Sequence, residues 1–131
     1  MNASTEVAGK RILVIDDDED NRTLVKLALE INSDWKVFAA ANGIQGIIQA
    51  ELAKPDAILL DLTMPDLDGL TVCEILKSNL FTCTIPIIFM TAITQKETFA
   101  QLKNTLAQGI IVKPFNTLGL RSLIAKICNW Q

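Results

Sequence analysis

Carboxylates stand directly behind two of the most apolar stretches of this chain. The run ILVI is followed by DDDED at 16–20, and the run AILL ends against Asp61. Two further apolar runs lead to a hydroxyl at Thr91 and an amine at Lys113. Together, such groups could bind a hard divalent cation and receive a phosphoryl group, provided that the fold brings them to one place.

Each of these residues alone also fits an ordinary structural role. Acidic residues are favourable at the beginning of a helix, by roughly 0.3–1 kcal/mol each. This role is assigned to Asp18, Glu19 and Asp20. Asp61 alone fits a turn as well as it fits a reactive group, and Lys113 alone fits a solvated surface lysine. The joint pattern, with Asp16 and Asp17 directly at a strand end, favours a functional site.

The elements that must position these residues follow from hydrophobic periodicity. Five short apolar runs predict β-strands at 12–15, 35–40, 57–60, 86–89 and 110–112. Four of them are nearly continuous, which is typical of parallel strands covered on both faces. Apolar residues with helical spacing predict helices at 20–32, 43–53, 68–79, 95–106 and 117–129. The alternation predicts a doubly wound α/β fold, (βα)5, with a five-stranded parallel sheet.

Two of the predicted helices show an apolar stripe that should face the sheet. In the first helix the stripe is Leu24, Leu27, Ala28 and Ile31. In the last helix it is Leu120, Leu123, Ile124 and Ile127. We expect both stripes to be buried.

In doubly wound folds ligands bind at the carboxyl ends of the strands, where these polar residues are predicted to lie. Asp16, Asp17 and Asp61 at one spot would repel and raise each other's pKa unless a cation offsets them. Mg²⁺ (or Mn²⁺) is held by one or two carboxylates together with waters and phosphate oxygens. A lysine and a hydroxyl beside the metal suit the charge on a transferring phosphoryl group. The residues therefore predict a metal-dependent site in which one aspartate forms an aspartyl phosphate.

The composition predicts one cytoplasmic domain and excludes several classes of function. The chain has 131 residues, half of them hydrophobic, a net charge of −3 and no histidine. A direct nucleic-acid binder usually has a basic face, and catalysis by histidine is excluded. No signal peptide or membrane-spanning run is present. The cysteines lack CxxC spacing, and we expect reduced thiols with packing roles at Cys73, Cys83 and Cys128.

Over residues 10–130 the chain resembles the receiver domains of bacterial two-component response regulators. The matching segments, in order, are RILVIDDDEDNR, AANG, KPDAILLDLTMPDLDG, PIIFMTA and IIVKPF. The resemblance implies a CheY-like sheet with strand order 2-1-3-4-5. It also implies a phosphoryl donor that is a histidine kinase or a histidine phosphotransfer protein, and a downstream protein target. No direct contact with nucleic acid and no insertion into a membrane is expected.

The resemblance also implies a role for each site residue. Asp61 matches the phosphoacceptor. Asp17 matches a direct metal ligand, and Asp16 matches a ligand that acts largely through water. The backbone carbonyl of Thr63 matches the third protein ligand, and Asp61 is itself part of the metal site.

Three further features of the family are present. Thr91 matches the hydroxyl that bonds the phosphoryl group and moves on activation. Lys113 matches the lysine that contacts a phosphoryl oxygen, and its bond to Pro114 is usually cis in the family. Met64–Pro65 and Gly69 match the loop after the acceptor.

One position departs from the family pattern. The switch residue on the fifth strand is usually Tyr or Phe, whereas this chain has Ile110 there and contains no tyrosine. Phosphotransfer should survive, because Ile110 is not at the metal. The relay from Thr91 to the outer face is the property that this residue puts in question.

The leading hypothesis is therefore a stand-alone receiver that catalyses only its own phosphorylation and dephosphorylation. We expect a flexible segment at 1–10, a single receiver domain at 11–131 and no output domain. The alternative is a pseudo-receiver, an interaction module with little switching by phosphorylation. A phosphatase with an Asp nucleophile is disfavoured, because those enzymes need a second Asp where this chain has Thr63. A flavin carrier is disfavoured because the acidic run after the first strand repels phosphate.

Overall fold

The structure is a computed structural model and describes residues 7–92 and 96–130. Its strands are β1 (Arg11–Ile15), β2 (Lys36–Ala40), β3 (Ala57–Asp61), β4 (Ile87–Thr91) and β5 (Gly109–Val112). Its helices are α1 (Glu19–Glu30), α2 (Gly43–Ala53), α3 (Gly69–Lys77), α4 (Lys96–Lys103) and α5 (Leu120–Ile127). A 3₁₀ turn at Thr117–Gly119 leads into α5. Residue 95, where the fourth helix was predicted to begin, lies outside the described residues.

The five strands form one parallel sheet in the order β2-β1-β3-β4-β5, which confirms the predicted fold and strand order. Ile15 of β1 pairs with Leu60 of β3, and Thr91 of β4 pairs with Val112 of β5. Because the strands are parallel and in register, their carboxyl ends meet at one edge. This edge carries the predicted site.

Alternate residues of each strand enter two separate hydrophobic cores. Leu13, Leu60 and Phe89 pack on the face that α2, α3 and α4 cover. Val14 and Leu59 pack on the opposite face, which α1 and α5 cover. Both faces of the sheet are thus buried, and this is why the strand sequences are nearly continuous apolar runs.

The predicted buried stripe of α1 is wrong. Val25 and Leu29 are the fully buried residues of α1. Three members of the predicted stripe are exposed: Leu24 by 44%, Leu27 by 62% and Ile31 by 60%. Apolar residues surround most of this helix, so periodicity alone could not select the face that packs on the sheet.

The stripe of α5 is confirmed in part. Leu120 and Ile124 are fully buried, Ile127 is half-buried, and Leu123 is exposed. The predicted helix also begins later than expected, because residues 117–119 form a 3₁₀ turn. The Asn116 side chain accepts a hydrogen bond from the Leu118 backbone N–H at 3.0 Å, which caps this turn.

The three cysteines are free, as expected. Cys73 lies in the core, where burial raises the pKa of its thiol. Burial also raises the pKa of Cys128 to about 11. These two thiols are therefore protonated near neutral pH and suit packing rather than chemistry.

A flexible segment was predicted at 1–10. Residues 1–6 of that segment lie outside the described residues, and its flexibility stays a prediction. Closer to β1, the Lys10 carbonyl accepts a hydrogen bond from the Lys36 N–H at 2.8 Å. Among the helices that the structure describes, none has both the length and the apolarity needed to cross a bilayer.

Candidate functional site

Three carboxylates meet at the carboxyl edge of the sheet. Asp16 and Asp17 follow β1, and Asp61 is the last residue of the neighbouring strand β3. Ligand oxygens of the three side chains lie within 4.8 Å of one another. Asp16 is only 1% exposed, Asp61 is half-buried and Asp17 is exposed. The structure therefore brings together the three side chains that the sequence predicted as metal ligands.

Lys113 lies against two of these carboxylates. Its Nζ is 3.0 Å from Oδ2 of Asp16 and 3.3 Å from Oδ1 of Asp61. The Lys113 backbone N–H donates to the Thr91 carbonyl at 2.9 Å, which fixes the end of β5 beside β4. The Lys113–Pro114 peptide bond is cis, as the resemblance implies. Lys113 is thus positioned to contact any group attached to Asp61.

Burial and charge both perturb the ionisation of this cluster. Burial raises the pKa of Asp61, the neighbouring Asp16 charge raises it further, and Lys113 opposes both. Burial lowers the pKa of Lys113, but its hydrogen bond to Asp16 and the charge of Asp61 outweigh this, so that its pKa is raised. The ammonium is therefore retained.

The single ammonium of Lys113 faces three carboxylates, so the cluster keeps an excess of negative charge. Its carboxylate oxygens are hard ligands. Hard cations such as Mg²⁺ and Mn²⁺ prefer such oxygens. Because these three side chains supply oxygen ligands, they fit a divalent cation. Asp17 is the most exposed of the three to solvent.

The cap residue of α1 and two side chains of its first turns hold Asp16 in place. Its carboxylate accepts from the Asp18 N–H at 2.9 Å and from the side-chain amide of Asn21. Its carbonyl accepts from the guanidinium of Arg22 at 2.8 Å. A buried carboxylate needs such donors, because leaving one unsatisfied costs about 1–3 kcal/mol or more.

Asn21 and Arg22 are functional-site residues that sequence reasoning missed. Both stand in the segment RILVIDDDEDNR, but their approach to Asp16 depends on how α1 sits over the end of β1. The one available signal was their position in the first turn of the helix that follows the acids. That signal does not distinguish a site residue from a solvated polar residue.

The remaining predicted residues have defined positions. Thr91 is the last residue of β4 and is 8% exposed. Thr63 lies two residues beyond Asp61 in an exposed loop, and its role as a carbonyl ligand stays a prediction. Ile110 is half-buried on β5, pairs with Phe89 and packs against the core under α3 and α4. None of these positions conflicts with the assigned role.

The loop after Asp61 is held at both ends. A Cβ on Gly69 would lie 2.4 Å from the Asp61 carbonyl oxygen, so this close approach requires glycine. Asp66 accepts from the Gly43 and Ile44 backbone N–H groups at 3.0 and 2.9 Å. These two hydrogen bonds lower the pKa of Asp66.

A cavity of about 290 Å³ opens beside the cluster. It is lined by Asn21, Leu24, Ala92, Lys113, Pro114 and Phe115. The exposed Leu24 of α1 and the ring of Phe115 make one part of its wall apolar. The cavity leaves the side of Lys113 open to solvent.

Comparison with known proteins agrees with this geometry. The sequence model of the family described as "Response regulator receiver domain" matches residues 12–125. The chain is 39% identical over 106 residues to the DNA-binding dual master transcriptional regulator RpaA of Synechocystis, which covers 81% of this chain and 44% of that protein. It is 35% identical over 117 residues to the transcriptional regulatory protein KdpE of Staphylococcus aureus, which covers 89% of this chain and 49% of that one. The chain thus spans about half the length of these relatives.

Solved structures share the fold along nearly their whole length. A putative response regulator from Chloroflexus aurantiacus superposes with a TM-score of 0.84 at 26% identity and covers 92% of this chain and 98% of its own. The chemotaxis protein CheY4 of Vibrio cholerae superposes with a TM-score of 0.83 at 28% identity, over 92% and 99% of the two chains. With its family match and the cluster around Asp61, the chain belongs to the response regulator receiver domains.

Proposed function

We propose that Asp61 accepts a phosphoryl group from a histidine kinase or a histidine phosphotransfer protein. Mg²⁺ (or Mn²⁺) would be held by Asp16, Asp17, Asp61 and the backbone carbonyl of Thr63. The observation that supports this proposal is the meeting of three carboxylates within 4.8 Å beside Lys113. Phosphoryl acceptance is also general for the family to which the chain belongs.

The transfer is a displacement at phosphorus. A carboxylate oxygen of Asp61 forms a bond to phosphorus as the bond from phosphorus to the donor's imidazole nitrogen breaks. Lys113 and the Thr91 hydroxyl each donate a hydrogen bond to a phosphoryl oxygen and stabilise the charge that builds up there. A bound divalent cation would supply further neutralisation of the non-bridging oxygens.

The chain then acts through protein contacts rather than on a substrate of its own. Its only catalysis would be its own phosphorylation and dephosphorylation. That the receiver is stand-alone stays a prediction, because these relatives are about twice its length. The cytoplasmic location, the downstream protein target and the absence of direct nucleic-acid contact are proposed with it.

Mass spectrometry of the intact chain after incubation with acetyl phosphate and Mg²⁺ tests the acceptor. We expect one added phosphoryl group in the wild type and none in Asp61→Asn or in the presence of a chelator. Asp66→Asn is the matched control, because Asp66 lies in the same loop but outside the cluster. An Asp61→Asn protein that still gains one phosphoryl group would falsify the assignment.

A pseudo-receiver is the second candidate, and Ile110 is the residue that favours it. This reading predicts that the wild type gains no phosphoryl group from any donor, or gains one without a change in partner affinity. The same mass measurement, followed by titration of the partner with the phosphorylated and unphosphorylated chain, separates the two functions.

A further inference from the structure

Helix α2 has most of its large apolar side chains on the outside. Its fully buried residues are small, namely Gly43, Gly46 and Ala50, and Ile47 is partly buried beside them. The outer face carries large apolar side chains at i, i+4 and i+8, exposed by 55%, 53% and 80%, namely Ile44, Ile48 and Leu52. These three residues, called here the α2 stripe, reverse the usual polarity of a surface helix.

The α2 stripe cannot turn towards the core. A Cβ on Gly46 would lie 2.5 Å from Cδ1 of the fully buried Ile15, and one on Gly43 would lie 2.8 Å from Cγ2 of Val72. The sheet and α3 therefore leave no room for larger side chains at positions 46 and 43. Asp66 fixes the first turn of the helix through two backbone hydrogen bonds. The stripe stays on the surface, uncovered by the described part of the chain.

A contiguous exposed apolar surface marks an interaction site. We propose that a second copy of this chain covers the α2 stripe in a two-fold symmetric dimer, with the two α2 helices antiparallel and Ile48 at the axis. In this arrangement Ile44 of each copy faces Leu52 of the other, because Ile44 and Leu52 are each four residues from Ile48. The stripe is thus complementary to itself, as an isologous interface requires.

The charges at the two ends of α2 also favour the antiparallel arrangement. Within the helix Glu51 is the single charged residue, so the centre of the contact is neutral. Lys54 follows the C-terminal end, and the ionised Asp66 lies against the N-terminal end. The antiparallel pair brings Lys54 of one copy to the end that carries Asp66 of the other. Opposite charges and opposed helix dipoles therefore meet at both ends.

The contact is small. One helix pair offers less than the roughly 800 Å² per partner of a standard interface. Two more exposed side chains, Leu80 and Phe81, lie near the C-terminal end of α2, since the Phe81 ring is 5.9 Å from the Lys54 Nζ. They can widen the apolar surface, but the dimer should be weak and should depend on concentration.

Sedimentation velocity of the full chain, from low micromolar to millimolar concentration and without a phosphoryl donor, tests the proposal. We expect the wild-type sedimentation coefficient to rise towards that of a dimer and Ile48→Lys to remain monomeric throughout. Leu27→Lys is the matched control, because Leu27 on α1 is somewhat more exposed than Ile48, 62% against 53%, and it should behave as the wild type. Matching thermal melts of the three proteins verify that each is folded.

A cross-link locates the axis. In Ile48→Cys, oxidation by copper phenanthroline should link two chains through residue 48 faster than it links wild type, in which Cys83 and Cys128 are the partly exposed thiols. Leu27→Cys should not exceed the wild-type rate. A wild type that is monomeric at millimolar concentration, an Ile48→Lys chain that still dimerises, or equal cross-linking at positions 48 and 27 would each overturn the proposal.

Discussion

Lys113 holds two carboxylates that would otherwise repel each other. Its ammonium lies 3.0 Å from Asp16 and 3.3 Å from Asp61, and Asp16 is almost fully buried. In the metal-free protein this amine is the cation that forms ion pairs with both carboxylates. We predict that, when Asp61 carries the proposed phosphoryl group, the same amine contacts the phosphoryl oxygens. One residue would then balance the charge of the resting site and bind the modified one.

Replacing Lys113 by Ala should leave metal binding intact but uncouple phosphorylation from conformational change, because the phosphoryl anion loses a charge-assisted partner. We also expect the metal-free variant to lose about 1–3 kcal/mol of unfolding free energy, since Asp16 loses a hydrogen bond. Amide shifts on phosphorylation measure the conformational change. Urea unfolding with and without Mg²⁺ measures the loss of unfolding free energy. Lys126→Ala, at an exposed position on α5, is the control. Wild-type shifts in Lys113→Ala would count against this role.

Residue types at strand ends were sufficient to predict the site's principal members. Asp61 is the last residue of a strand, Asp16 and Lys113 each follow a strand directly, and Asp17 comes next after Asp16. The parallel topology therefore places all four at one edge. Asn21 could not be predicted in this way, because its contact with Asp16 depends on the position of α1 over the strand. A contact between a helix and a loop leaves no periodic pattern in the sequence from which it could be predicted.

At the scale of elements, glycines set the distance between α2 and the sheet. Gly46→Ala should lower the unfolding free energy by about 1–3 kcal/mol through overpacking. The new Cβ would lie 2.5 Å from Ile15, and this outweighs the gain of up to about 1 kcal/mol in helix propensity. Gly119→Ala is the control, because its Cβ would meet nothing within 4 Å. Urea unfolding measures both, and a Gly46→Ala protein as stable as the wild type would refute the close contact.

Asp66 makes the junction between α2 and the loop after β3 dependent on pH. Hydrogen bonds from the Ile44 and Gly43 N–H groups lower its pKa below that of an unfolded aspartate. Its contribution to stability is therefore present above the unfolded pKa and is lost as the pH falls through the folded pKa. Asp66→Ala should be less stable than the wild type at pH 7, and the difference should vanish in acid. Thermal melts across that range, with Glu74→Ala on α3 as control, check this; a difference independent of pH would contradict it.

The helices were easier to locate than to orient. Segments with helical spacing predicted all five, yet most of the stripe assigned to α1 is on the surface, and α2 fully buries two glycines while Ile44 and Ile48 are exposed. In both helices apolar residues occur around most of the circumference. Which face packs inward is decided by tertiary fit, such as the small space above Ile15, and not by the helical period.

For the molecule as a whole, the alternation of strand and helix was enough to predict the doubly wound sheet, because right-handed crossovers leave few alternatives. The path by which phosphorylation reaches the outer surface is a property of the same scale. The resemblance assigns this path to Thr91 at the end of β4 and to Ile110 on the adjoining strand β5. Ile110 pairs with Phe89 and is half-buried against the core under α3 and α4.

In aromatic-bearing receivers the resemblance implies that the threonine moves towards the phosphoryl group and the fifth-strand ring turns into the vacated space. Ile110 is β-branched and stiff at χ1, with no ring to turn. We therefore predict that phosphorylation moves Thr91 and the loop after β4, whereas the surface of α4, β5 and α5 responds weakly. A modification shifts an equilibrium only by its differential interaction with the two states. The partner's preference for the phosphorylated form should accordingly be small in the wild type and larger in Ile110→Tyr.

Amide shifts with and without beryllofluoride, a mimic of the phosphoryl group, measure this response in the wild type and in Ile110→Tyr. We expect the wild-type shifts to concentrate near Asp61 and Thr91, and those of the variant to extend across residues 96–120. Ile110→Val is the matched control, because it changes the side chain without adding a ring. Large wild-type shifts across 96–120, with no gain in Ile110→Tyr, would show that the signal leaves the site without an aromatic switch. The output would then run through a movement of β5 and α4 as packed elements, since Ile110 is already fixed against the core that they share.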